Sequence, residues 1–182
     1  SGGKKVDVWA ARISYVGESG WEIYFNNNKD DGLALYDSLL EVGVVPVGIE
    51  TYANSRRLEK SFRLQGADLE TEYTAIEAAI QRPLVKEADF HGKAAHLSHR
   101  EEDPCAILCT MTLDDLNVSG VPRYPVGISP IIDPATGEVP VDSKGRRSYT
   151  TGMSYCPSIK KFVVMGYLPK ELAIQGKQLL IE

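Results

Sequence analysis

Two short runs of alternating apolar and polar residues lie between Val6 and Phe25. They are separated by Val16-Gly17-Glu18-Ser19-Gly20, and the pattern predicts an antiparallel hairpin. A helix is expected from Asp30 to Val42, with Leu33, Tyr36, Leu39 and Leu40 as its apolar stripe. Asp30 and Asp31 suit its positive end, and Gly43 suits its stop. Val44 to Val47 reads as a short strand, and Gly48 opens a helix running to about Lys60. Thr74 and Glu77 have the spacing of a capping box, so TAIEAAIQ should form a helix that Pro83 ends. Phe90 to Leu97 reads as one more short helix.

The polar segment His99 to Pro104 marks a boundary, and the pattern changes after it. CAILCTMTL alternates like a strand, and GVPRYPVGISPII, RSYTTGM, KFVVMGYL and QLLIE add further short strands. DPATGEVPVDSKGRR forms a polar hairpin tip. The expected class is therefore α+β, an α+β layer over residues 1–98 followed by a small all-β barrel or sandwich over 99–182.

Composition narrows the function classes. The chain has 182 residues, 43% hydrophobic and 25% charged, as an ordinary globular protein does. It contains no run of about 18 apolar residues, so no membrane span is expected, and its start has no apolar region of a signal peptide. Residues 1–104 carry 12 Lys/Arg against 18 Asp/Glu, and no basic face suited to nucleic acid stands out. Cys105 and Cys109 fall in one strand about 13 Å apart, too far for a disulfide. With no CxxC pair, the three cysteines read as free thiols of a reducing, cytoplasmic compartment.

Recognisable nucleotide, hydrolase and metalloprotease motifs are missing, and His91, His96 and His99 lack the spacing of a metal site. Cys156 could serve as a nucleophile, but no base can be paired with it. Arg56, Lys60 and Arg63 would form a basic stripe on a continuous helix, suited to a carboxylate or simply to water, with Glu59 partly neutralising it. Glu22 stands between Trp21 and Ile23, among Tyr15 and Tyr24. It belongs either to the wet face of a hairpin or to a site where a carboxylate takes N–H donors from a flat heterocycle.

Five blocks carry a resemblance to a known family. RISYVGESGWEIYF resembles the R-T-G-Y-T-G-E-x-G-(Y/W/F)-E-I segment of the aminomethyltransferases, the glycine cleavage T-protein family. NSRRLEKSFRLQGADL is similar to S-L-R-L-E-K-G-(Y/F)-R-x-x-G-x-D-L, and TAIEAAI to T-P-x-E-A-G-L. Phe90 to Ala95 is similar to F-x-G-K-x-A-L, and TTGMSYCPSIKKFVVMGYLP to T-S-G-x-x-S-P-S-L-x-K-x-I-A-x-x-Y-V. The blocks follow family order and cover most of the chain.

The resemblance implies the second half of a cloverleaf fold built around a tetrahydrofolate channel: the end of the folate-binding region, then a C-terminal barrel. It implies a one-carbon transferase or demethylase that takes a methyl or methylene group from a methylated amine or ether. Glu22 aligns with the family's pterin-binding glutamate and Tyr15 with its pocket tyrosine. The implied coenzyme set is Glu22, Tyr15, Tyr24, Tyr52 and Arg57. The family's catalytic aspartate falls in the N-terminal half, the implied partner of this segment, so no catalytic residue is assigned. Ala53 stands where T-proteins carry an arginine, and N-S-x-R-L-E-K is common in the dehydrogenase and demethylase branches. That likeness leaves a second expectation, a non-catalytic folate-fold module of a flavin-dependent amine dehydrogenase.

Overall fold

The computed structural model describes residues 4–26, 28–114, 117–118, 120–122 and 127–182. The predicted hairpin forms as β1 (Val8–Ala11) and β2 (Glu22–Phe25), paired antiparallel from Val8↔Phe25 to Ala11↔Glu22. Helix α1 spans Lys29–Glu41, one residue earlier at each end than its pattern predicts. The shift follows from Asn28, whose side chain accepts the Asp30 N–H at 2.9 Å and so fixes the first turn. Gly43, at φ +89°, ends it in the left-handed conformation that glycine adopts most cheaply. No α1 residue is buried, and its apolar stripe is left open. Val44 to Val47 pairs with no strand among the described residues.

The helix expected from Gly48 is a wide π-turn segment, Glu50–Arg56, tightening into one α turn, Arg57–Glu59, named α2. The widening coincides with side-chain capture of a backbone acceptor, the Ala53 carbonyl taken by Arg57 Nε at 2.6 Å. Ser61 takes φ 55°, and the helix stops just before it.

TAIEAAIQ is a tight turn rather than a helix. Its capping box is nevertheless made, Thr74 N–H to Glu77 at 2.9 Å and Glu77 N–H to Thr74 Oγ1 at 3.2 Å. The helix fails because its acceptors are spent elsewhere. Glu77 O receives Leu108 N–H and Ala78 O receives Arg63 Nε, while Ala79 turns to φ 53°. Helix α3, Lys93–Glu101, begins after the left-handed Gly92 and runs into the polar segment that reads as a boundary.

In the second half, β3 (Ala106–Thr112) and β7 (Thr150–Cys156) flank β8 (Lys161–Pro169) in one antiparallel sheet of order β3-β8-β7. The short pairs β4 (Asn117–Val118) with β5 (Val121–Pro122), and β6 (Ile131–Ile132) with β9 (Leu180–Ile181), form two further two-stranded sheets. The β6 end is bonded to the start of β7 through Ile131 N–H to Ser148 O at 3.1 Å and Thr150 N–H to Ser129 O at 2.9 Å. Of the strand expected in GVPRYPVGISPII, residues 123–126 lie outside the described residues, as does the Ser1–Gly3 start. No closed circuit of strands exists among the described residues, so the expected barrel is seen here as separate sheets. No helix among them is long and apolar enough to cross a membrane.

The core is shared across the expected boundary. Leu58 and Ala78 from the first half pack with Ala106, Leu108, Cys156, Val163, Met165 and Tyr167 from the second. On β8, Val163, Met165 and Tyr167 face this cluster, as alternation requires. Gly166 points the other way, where a Cβ would sit 2.7 Å from Tyr149 O and 2.8 Å from Ile131 Cδ1. Gly166→Ala is expected to cost about 1–3 kcal/mol in urea denaturation. An unchanged midpoint would mean that the Tyr149 carbonyl as well as the Ile131 side chain can give way.

Candidate functional site

The hairpin register sets Trp9 opposite Tyr24 and Ala11 opposite Glu22, so Glu22 and Tyr24 lie on one face. Trp9 and Tyr24 rings meet at 5.0 Å. The Tyr24 hydroxyl donates to Glu22 Oε2, and that bond is the main cause raising the tyrosine's pKa. Trp21, expected within β2, precedes the strand and is exposed.

The connection from β1 to β2 is longer than the five-residue turn in the pattern, because the strands end at Ala11 and begin again at Glu22. Tyr15 is the reason. Its hydroxyl donates to the Arg63 carbonyl at 2.6 Å, and its ring meets Tyr52 at 5.8 Å and Phe62 at 6.2 Å. Burial raises the Tyr15 pKa, and Arg57 partly opposes that rise. Arg12 to Ser14 and Gly17 to Gly20 line an open concavity of about 320 Å³ in this connection.

Arg57, expected among the coenzyme contacts, is instead 1% exposed and serves the interior. Its guanidinium pairs with fully buried Asp68 at 2.5 Å and donates to Phe62 O at 3.0 Å. Asp68 Oδ2 also accepts Leu64 N–H at 2.8 Å, and Oδ1 accepts the Thr151 hydroxyl. A β-bulge between Thr150 and Gly152 re-aims Thr151 toward this acid. Gly152 must lack a side chain there, since a Cβ would lie 2.8 Å from Arg57 Nη2. An uncompensated charge at this depth would be costly, so the network is what permits Arg57 to be buried.

The remaining candidates separate. Arg56, Lys60 and Arg63 form no stripe, because the helix ends before Ser61 and Arg63 turns inward to the carbonyls of Ala78 and Ser61. Cys156 lies buried at the end of β7, with its thiol on Ser55 O at 3.3 Å. Burial pushes that thiol up to about 11, which removes it as a nucleophile at neutral pH. Among the described residues no His/Cys/Asp/Glu group is arranged to hold a metal. The sequence reading missed Phe62 beside Tyr15 and Asp68 beneath Arg57. Asp68 carried a usable signal, an acid in the same motif block as an arginine that must be neutralised if buried.

Comparison with known proteins completes the description. Residues 3–87 match the family described as the GCVT N-terminal domain. The chain is 33% identical over 192 residues to human mitochondrial dimethylglycine dehydrogenase, covering 97% of this chain and 19% of that protein. It is 31% identical over 180 residues to the aminomethyltransferase of Francisella philomiragia, covering 94% of this chain and 45% of that one. The glycine cleavage system aminomethyltransferase T of Bartonella henselae superposes with a TM-score of 0.74 at 25% identity, over 97% of this chain and 45% of the other. The chain thus spans less than half the length of these relatives.

Proposed function

We propose that the chain is a member of the aminomethyltransferase family, to which it is similar along most of its length, and that it forms part of a tetrahydrofolate-dependent one-carbon transferase or demethylase. The observation that carries the reading is Glu22, a carboxylate on an aromatic hairpin face beside the open connection that Tyr15 anchors. A pterin is flat and carries N–H donors along one edge, which a carboxylate accepts well. Tyr15 has spent its hydroxyl on Arg63, so it offers a coenzyme its ring, steadied by Tyr52 and Phe62. Tyr24 holds Glu22 in place through its hydroxyl. Arg57 acts from behind this wall as a buried support.

Tetrahydrofolate, when bound, supplies the nitrogen that accepts the one-carbon unit. This chain's residues bind and orient it, so that proximity to a methylated amine or ether lowers the barrier. The acid that moves a proton is assigned to a preceding half of the protein, which would also cover the open apolar residues of β1, β2, α1 and 44–49. Division at residue 98 into a folate-binding part and a strand-rich part, and a cytoplasmic setting, belong to the same proposal. The likeness to dimethylglycine dehydrogenase, with Ala53 in the arginine position, favours a second reading: a folate-fold module of a flavin-dependent amine dehydrogenase.

Titrating 5-formyltetrahydrofolate into the full-length protein tests the site. Glu22→Gln is expected to weaken binding about tenfold or more, the loss of a charge-assisted hydrogen bond. Equal affinity in the two proteins would remove Glu22 from the coenzyme contacts.

A further inference from the structure

Arg56 joins three segments that are distant in sequence. Its Nη2 pairs with Glu18 in the β1–β2 connection at 2.8 Å. Its Nη1 pairs with Glu59 on α2 at 2.9 Å and donates to Ser158 Oγ, in the β7–β8 turn, at 2.9 Å. Glu59 closes the circuit by accepting Ser158 N–H at 2.9 Å, and its side chain is only 6% exposed. Next to Glu18, Gly17 lies flat on the Lys60 stem, where a Cβ would be 2.5 Å from Cγ. With Tyr15 fixed on Arg63, the connection is therefore moored at two points along its length. Arg12 to Ser14, just before the first mooring, and Gly17 to Gly20, around and after the second, line the concavity. The family pattern S-L-R-L-E-K has leucine where this chain has Arg56, so the bridge does not follow from the likeness.

We propose that Arg56 is a positioning residue that couples the Gly17–Gly20 segment to the second half of the chain, so that the β7–β8 turn sets the shape of the coenzyme pocket. Its fork can hold Glu18 with one nitrogen and Glu59 and Ser158 with the other, which a single ammonium cannot do. The strand-rich half then takes part in the site without touching the coenzyme. The binding consequence rests on the coenzyme reading above; the mechanical coupling does not.

The test uses the full-length protein and two readouts. Hydrogen exchange of amides 14–20 measures the mooring itself, and 5-formyltetrahydrofolate titration measures its effect on the pocket. Arg56→Leu is expected to speed exchange in 14–20 about tenfold and to weaken binding about three- to fivefold, with thermal stability nearly unchanged. Glu18→Gln should do the same, and the double variant should be no worse than either single. Arg56→Lys should restore part of both. Unchanged exchange in Arg56→Leu would overturn the proposal, as would fully additive effects in the double variant. Faster exchange in a protein that never binds the probe would keep the coupling and reject the coenzyme reading instead.

Discussion

Asp68→Ala is expected to cost about 3–5 kcal/mol, because it strands a guanidinium that is 1% exposed. The loss is a large part of the 5–15 kcal/mol that holds an ordinary domain folded. Three groups lose the carboxylate together, Arg57 Nη1, Leu64 N–H and the Thr151 hydroxyl, while the Tyr167 hydroxyl keeps its acceptor, the Asp68 backbone carbonyl at 2.7 Å. Replacing both charges, as Arg57→Met with Asp68→Leu, should recover most of the loss, since no ion is then left in the interior. Urea denaturation of the two variants decides the matter. A single-variant loss below about 1 kcal/mol would mean that water reaches Arg57 and that the network is not the bond between the halves.

Arg146→Met should be next in size, near 3 kcal/mol at neutral pH, and it should depend on pH. Arg146 pairs with Glu77, which is 1% exposed, and with Asp142 at 2.7 Å; it also caps Glu72 O and lies 4.3 Å from the Tyr73 ring. Tyr73 in turn stacks on Tyr167 at 3.5 Å, so one side chain ties the hairpin tip to the core. Burial by itself would raise the Glu77 carboxyl, but the Arg146 bond and the Thr74 amide outweigh it and hold the value down to about 2. Asp142 is also lowered: burial opposes the shift, while the backbone and side chain of Arg146 prevail. A folded-state value below the unfolded one contributes stability that is complete above about 4.5 and lost as pH falls toward 2. The gap between wild type and Arg146→Met should therefore be wide at pH 7 and narrow by pH 3. A gap of equal width at both would show that packing, not charge, is what Arg146 supplies.

How much of this was legible from the residues depends on where each backbone group finds its partner. Helix α1 was readable because its apolar stripe, the two acids and Gly43 mark it locally, though its first turn is set by Asn28, which the pattern did not single out. Strands β3, β7 and β8 were readable because their alternation is strong and their partners lie in one sheet. TAIEAAIQ was not, since its decisive hydrogen bonds go to Leu108 and Arg63, residues far along the chain. The β1–β2 connection was misjudged for the same reason, because Tyr15 answers to Arg63 rather than to its neighbours. The shared hairpin face of Glu22 and Tyr24 could be read from strand alternation, whereas the burial of Arg57 against Asp68 could not. Asp68 in the same motif block offered Arg57 a partner, but only the packing around the pair shows that the arginine is buried against it.

The Arg57–Asp68 pair also has a history during synthesis. Its two members are eleven positions apart and can meet as soon as both have left the ribosome, still bathed in solvent. The strands that shut the water out, bearing Thr151, Met165 and Tyr167, emerge roughly a hundred residues later. A nascent chain must therefore wait, with its two opposite charges already acquainted but not yet dry, until β8 has been made.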